Sequence, residues 1–328
     1  METVNVRIDD RIRLVSALLA ATSWPNDEQQ RKPHGTHAHA RDTRKLLAAH
    51  TKHPAALIMQ ALLDRGVPLE DVYAHVLKLA WPGLAGTETP PWLPPTWVRH
   101  LLNFYDQAGL ARWWQDETAA WAKGREEAEK VFAGVDLRSF LQPFVGDFED
   151  ALIFMPNVSY PTDTVIGVCV EGELYCVAPP RLAWGNNPPW SFDEDPAYVY
   201  DCALTQYGRM LMRRYLHQHP EVLAEVSQRP LPLPKPLDQA YASWEEGFLA
   251  LFTSGLVAIF LEDAVSKQEA DAYVLMERKV QGVSILPGVI SVLRRFLGGH
   301  RDGQYPTFID YLPHFGAHLR VARTITTL

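Results

Sequence analysis

Apolar residues along this chain follow two rhythms, and the change comes near residue 148. Over 10–22, Ile12, Leu14, Val15, Leu18 and Leu19 recur at the three-to-four spacing of a helix. The same spacing predicts helices near 41–50, 54–65, 69–80, 95–108 and 110–133, with Pro68 close to the start of one, where a proline is tolerated. ETVNVRI alternates instead, as a short strand does. The stretch 24–40 is polar, and RKPHGTHAHARD reads as the centre of a loop. TETPPWLPPTW is a stiff proline–tryptophan connector.

Beyond 148 the pattern shortens. ALIFMPNV, TVIGVCV and ELYCVAP are β-rich and bounded by turn residues, which predicts a small antiparallel sheet. Asp195-Pro196 then supplies an N-cap and a first-turn proline for a helix running to about His217. RPLPLPKPLD over 229–238 is an extended spacer. A long helix is expected from near Leu237 through SWEEGFLALFTSGLVAIFL, with more helix at 266–280, 287–297 and 306–320. The predicted class is α+β, mainly α. A helical region over 1–147 precedes an α+β region over 148–328, as two regions or one compact unit.

Composition narrows the function classes. With 328 residues, 47% apolar and 21% charged, the chain can bury a sizeable core. A net charge of -8 gives no basic footprint for nucleic acid. Three cysteines are too few for a disulfide scaffold. A two-residue turn at Gly172-Glu173 would set Cys169 opposite Cys176, as a disulfide or as two reduced, half-buried thiols. No run approaches the ~18 apolar residues of a membrane span. LVSALLAA resembles a signal core, but it follows Asp9-Asp10 and two arginines and lacks a small-residue cleavage site. It is read as the first helix of a cytoplasmic protein.

The predicted helix ending at His217 contains Thr205-Gln206-Tyr207-Gly208-Arg209. This run, the preceding strands, SWEEGFLALFTSGLVAIF and HTKHPAALIMQALLDRGVPLEDVYAHV together resemble a bacterial family of gluzincin-like proteins of unknown function. The resemblance covers most of the chain, and none of its motifs is strict. It implies a small sheet, a helix bearing H-E-x-x-H, and a glutamate ligand from a later helix. Thr205 and Arg209 then take the histidine positions, Gln206 that of the general base, and Glu246 that of the third ligand, with Glu245 as runner-up. Gly208 keeps the small residue often found before the second histidine.

The chemistry of a zinc peptidase needs two imidazoles on one helical face and a carboxylate to take a proton from metal-bound water. Threonine is a poor zinc ligand, glutamine lacks basicity, and arginine is a fixed cation that repels a divalent metal. Water activation by the usual mechanism is therefore not expected here. An Arg209–carboxylate pair with Glu246 or Glu245 is expected to bridge the two helices where zinc would. The competing account is an ordinary core helix with Leu204, Tyr207, Leu211 and Tyr215 along its buried stripe.

Other candidates are weaker. His34, His37 and His39 form a His-rich stretch that could chelate zinc with Asp42 or His50, although exposed loop histidines are the favoured account. His217 and His219 could form a relocated metal site, or simply favour a helix C-terminus. His50 and His53 suggest a helix–helix junction. Trp92, Trp97, Trp184 and Trp190 sit in proline-rich loops, as a peptide or carbohydrate groove or as packing anchors. There is no G-x-S-x-G, phosphate-binding loop or dinucleotide fingerprint.

Three functions follow. The first is a non-catalytic member of the resembled family, without cofactor, that binds a peptide or protein through its cleft. The second is an active hydrolase with relocated zinc. The third is an unrelated helical protein that works through protein–protein contacts.

Overall fold

The computed structural model describes residues 4–31, 38–86, 88–160, 162–181, 190–233, 235 and 237–326, with side chains placed except at 29–31 and 321–326. The class is α+β and mainly helical. In chain order the elements begin with β1 (Asn5–Val6), α1 (Asp10–Ala20), α2 (Trp24–Arg31), α3 (Ala38–Leu47), α4 (Pro54–Asp64) and α5 (Leu69–Leu77). There follow α6 (Trp97–Gln107), α7 (Leu110–Asp116), α8 (Thr118–Phe132), α9 (Leu137–Val145), β2 (Ala151–Pro156), β3 (Ile166–Val170) and β4 (Glu173–Ala178). The rest is α10 (Pro196–His217), α11 (Pro220–Ser227), α12 (Trp244–Ala264), α13 (Lys267–Lys279), α14 (Leu286–Arg301) and α15 (Phe308–Thr326).

The chain folds as two compact units. One comprises Val4–Ala133 with Ala151–Val199, and the other is built chiefly from Gly134–Asp150 and Tyr200–Leu328. These units interleave along the sequence, so the texture break near 148 is not their boundary. The reason is strand pairing: β1, near the N-terminus, aligns Asn5 with Ile153 of β2. α10 starts in the first unit and continues into the second.

The sheet has the order β1-β2-β4-β3 and is mixed rather than wholly antiparallel. β3 and β4 form the expected antiparallel hairpin, whereas β1, β2 and β4 run parallel. The hairpin turns at Glu171 and Gly172, both with positive φ (50° and 79°), one residue earlier than the predicted Gly172-Glu173 turn. Two successive positive-φ residues match the twist of a two-residue hairpin. The shift places Cys169 opposite Leu174 and Cys176 opposite Gly167, so the two thiols are not cross-strand neighbours.

In the sheet unit the apolar residues of α1 are internal: Leu14, Val15, Leu18 and Leu19 are all 0% exposed. Burying each such side chain contributes about 1.5–3 kcal/mol. α5 packs on β3. Within the stretch expected to be a polar loop, Trp24–Arg31 and the residues from Ala38 are helical. Trp24 is buried against Tyr160, with ring centroids 5.7 Å apart, and anchors α2. One aromatic anchor suffices there, so no apolar stripe marks the helix in the sequence. His34, His37 and Trp184 lie outside the described residues.

In the helical unit α12 is the central rod. It is long and apolar enough to cross a membrane by length and composition, contrary to the expectation that no run reaches that size. In this structure 72% of its most apolar window is buried, and Phe248, Phe252, Leu256 and Ile259 are fully internal. An all-round apolar helix is what a position at the centre of a unit requires. At Gly255 an added Cβ would lie 2.7 Å from Leu293 Cδ1 and 2.8 Å from Val289 Cγ1, so close packing on α14 accounts for that glycine.

α12 also starts later than expected. Leu237–Gln239 form only a short 3-10 turn, and Ser243 caps the helix by accepting from the Glu246 N–H at 3.2 Å. Ser243-x-x-Glu246 has the spacing of a capping box, of which the serine half forms and fixes Glu246 in the first turn.

Candidate functional site

The site lies within the helical unit. α10 carries Thr205, Arg209, Arg213 and His217 four residues apart, a spacing that stacks them along one face. Glycine at 208 lets that helix approach α12, where an added Cβ would sit 3.1 Å from Leu256 Cδ2. The charged face of α10 thereby meets the first turn of α12.

Arg209 donates to Glu246 Oε2. Arg213 donates to Glu246 Oε1 at 2.6 Å, and its Nε lies 3.4 Å from Glu245 Oε1. His217 Nε2 lies 3.0 Å from Glu245 Oε2. Three basic side chains thus alternate with two carboxylates in a ladder. Glu246 spends both oxygens on arginines, so its capping role is carried by its backbone N–H alone. Arg209 is 42% exposed and Glu246 32%, so each pair contributes at most about 0.2–1 kcal/mol in solvent-screened surroundings. Their value is geometric: a two-arginine clamp fixes the carboxylate's orientation.

Deeper along the same helices the polar groups continue. Thr205 Oγ1 donates to Asp201 Oδ1 at 3.2 Å. On α13, burial pushes the Tyr273 pKa well up, with the Asp201 and Glu277 charges adding to it. Ser254 Oγ donates to Glu277 Oε2 at 3.3 Å. Burial holds the Glu277 carboxyl above the usual carboxylate range, partly offset by that hydroxyl. Tyr241 feels both Glu277 and Arg209, and burial raises its pKa first of all. Sequence reading missed Asp201, Tyr273 and Glu277. Asp201 stands one turn before Thr205 and was legible by spacing, but Glu277 in YVLMERK looks like any solvated helix charge.

The other predicted residues separate. His39 Nδ1 lies 3.3 Å from Glu117 Oε1, and hydrogen bonding to that carboxylate raises its pKa. Glu117, only 6% exposed, also accepts from Ser159 Oγ at 2.9 Å and Trp121 Nε1 at 3.3 Å. Asp42 pairs with Lys45 at 3.3 Å, and its charge adds a smaller upward pull on His39 than Glu117 does. His50 meets Phe104 edge-on, and His53 caps α4 and reaches Asn103 Oδ1 at 2.9 Å. His219 packs against Tyr215 with centroids 5.1 Å apart, turned to a different partner from His217. Among the described residues no three His, Cys, Asp or Glu side chains converge as a metal site needs. Trp97 is fully buried and Trp190 is 48% exposed, so these tryptophans do not share one role.

Comparison of the chain with known protein families, with curated proteins and with solved structures finds no match.

Proposed function

We propose that this chain is a non-catalytic, peptide- or protein-binding protein on a metallopeptidase-like frame, in which an ion-pair ladder holds the place of the zinc. The observation that carries the reading is the Arg209–Glu246–Arg213 cluster. A zinc ion in a gluzincin ties a helix bearing two histidines to a glutamate on a later helix. Here the residues at those positions are tied by guanidinium–carboxylate bonds. The positive charge comes from Arg209 and Arg213, and the carboxylate stays where a third ligand would stand. Gln206 leaves the position of the general base without a basic group.

The polar groups beyond the ladder fit binding. Tyr241, Tyr273, Ser254 and Glu277 offer hydroxyl donors and a carboxyl, an assortment suited to peptide groups. Metal analysis of protein purified without a histidine tag tests the proposal. The expected zinc content is far below one per chain, unchanged after dialysis against a chelator. Near-stoichiometric zinc that survives mild chelation would overturn it and favour a relocated metal hydrolase.

A further inference from the structure

A second place in the molecule has the make-up of a ligand site, and it lies within the sheet unit. One helical face of α5 with its C-cap presents Asp71, Ala74, His75 and Lys78, at the i, i+3, i+4, i+7 spacing that aligns side chains along a helix. Facing it is the loop that carries Glu88, Pro90 and Trp92. Between them is a cavity of about 640 Å³, a size that takes a small organic ligand.

The wall opposite α5 is held in place. Leu84 and Leu93 anchor it, at 1% and 4% exposure. The Leu93 N–H donates to Pro90 O at 2.9 Å, and Ala80 donates to Ala85 O at 2.7 Å. Arg65 donates to the Trp92 carbonyl at 2.8 Å, which fixes that residue's backbone from the side of α4. A cavity between a helix and a loop braced in this way exists before any ligand arrives.

Its inner surface is unusual for a structural crevice. His75 is only 6% exposed and contacts Trp92 edge-on at 6.2 Å, yet its buried Nε2 has no hydrogen-bond partner among the described residues. Burial, helped by Lys78, lowers the pKa of this imidazole, so it is neutral near pH 7. Around the mouth Asp71, Glu88 and Lys78 are exposed and make no ion pair with one another. Two carboxylates against one ammonium give the mouth a net negative charge. The inner part is indole, proline ring and methyl, which are apolar.

We infer that this cavity binds an organic ammonium ion with an apolar body, such as an aryl-alkylamine or a lysine-like side chain. Asp71 and Glu88 hold the cationic head, and the apolar body lies against Trp92, Pro90 and Ala74. A neutral His75 sets no opposing charge against the cation. This site shares no residue with the α10–α12 ladder, and its success or failure is independent of the proposal above.

The test compares phenethylammonium with phenylacetate, which have similar bodies and opposite charge. Binding to the full chain is followed by the indole N–H resonance of Trp92, identified through Trp92→Phe. Phenethylammonium is expected to shift that resonance saturably, while phenylacetate leaves it in place. The Asp71→Asn/Glu88→Gln variant alters exposed side chains only and is expected to fold, with a slightly lower melting temperature because Asp71 is an acid in the first turn of α5. It should bind at least about tenfold more weakly. Equal response to the two probes, no saturable shift, or unaltered affinity in the double variant would each overturn the inference.

Discussion

Glu246 shows how one side chain's position decides its chemistry. As the third residue of α12 it is held by the Ser243 cap, and both its oxygens are claimed by arginines of α10. Glu246→Gln keeps the shape and removes the charge, leaving Arg209 and Arg213 without their shared counter-ion. Because the cluster is partly exposed, the expected loss is about 1 kcal/mol in urea unfolding, and it should shrink in high salt. A loss that ignores salt would show that packing, and not charge, holds the ladder. The Arg209–Glu246 pair was expected from the family resemblance, which set Arg209 at the second histidine position and Glu246 at the third ligand. Glu277 and His75 were not legible, because their character comes from burial by other elements.

His39 gives a second residue-scale outcome. Its hydrogen bond to Glu117 raises its pKa above the ordinary 6.5, so the folded chain binds that proton more tightly than the unfolded chain. The resulting stabilisation is complete below 6.5 and drains away as pH rises through the folded value. Unfolding curves for wild type and His39→Gln between about pH 5 and 8 check this. The wild-type advantage should be largest at the acid end. An advantage that grows with pH would contradict the assignment.

At the scale of elements, periodicity located most helices but not their ends. The N-terminal limit of α12 is set by a serine hydroxyl and not by apolar spacing, which is why Leu237 looked like a plausible start. α2 was hidden because a single buried tryptophan anchors it. The hairpin turn was misplaced by one residue, and that slip alone would have faced Cys169 with Cys176. Two substitutions probe α12 directly. Ser243→Ala should cost about 1 kcal/mol by removing the cap. Gly255→Ala should cost about 1–3 kcal/mol, because its methyl meets Leu293 and Val289 of α14. Equilibrium denaturation reads both, and a neutral Gly255→Ala would show that α14 yields more easily than its packing indicates.

For the whole molecule, the α+β class was readable because helical and strand rhythms occupy separate stretches. The division into units was not. It depends on β1 pairing with β2 and on α5 covering β3, contacts between residues far apart in the chain. The sheet and the ladder belong to different compact units, whereas the family resemblance placed them together in one C-terminal region. Within the helical unit, Arg209 and Arg213 hold Glu246 by its two oxygens. The most direct measurement is the zinc stoichiometry of the Thr205→His/Gln206→Glu/Arg209→His variant in the absence of a tag. The account predicts about one zinc per chain, with Glu246 as a ligand, and far less in the wild type. A variant that takes up no more zinc than the wild type, folded or not, would contradict it.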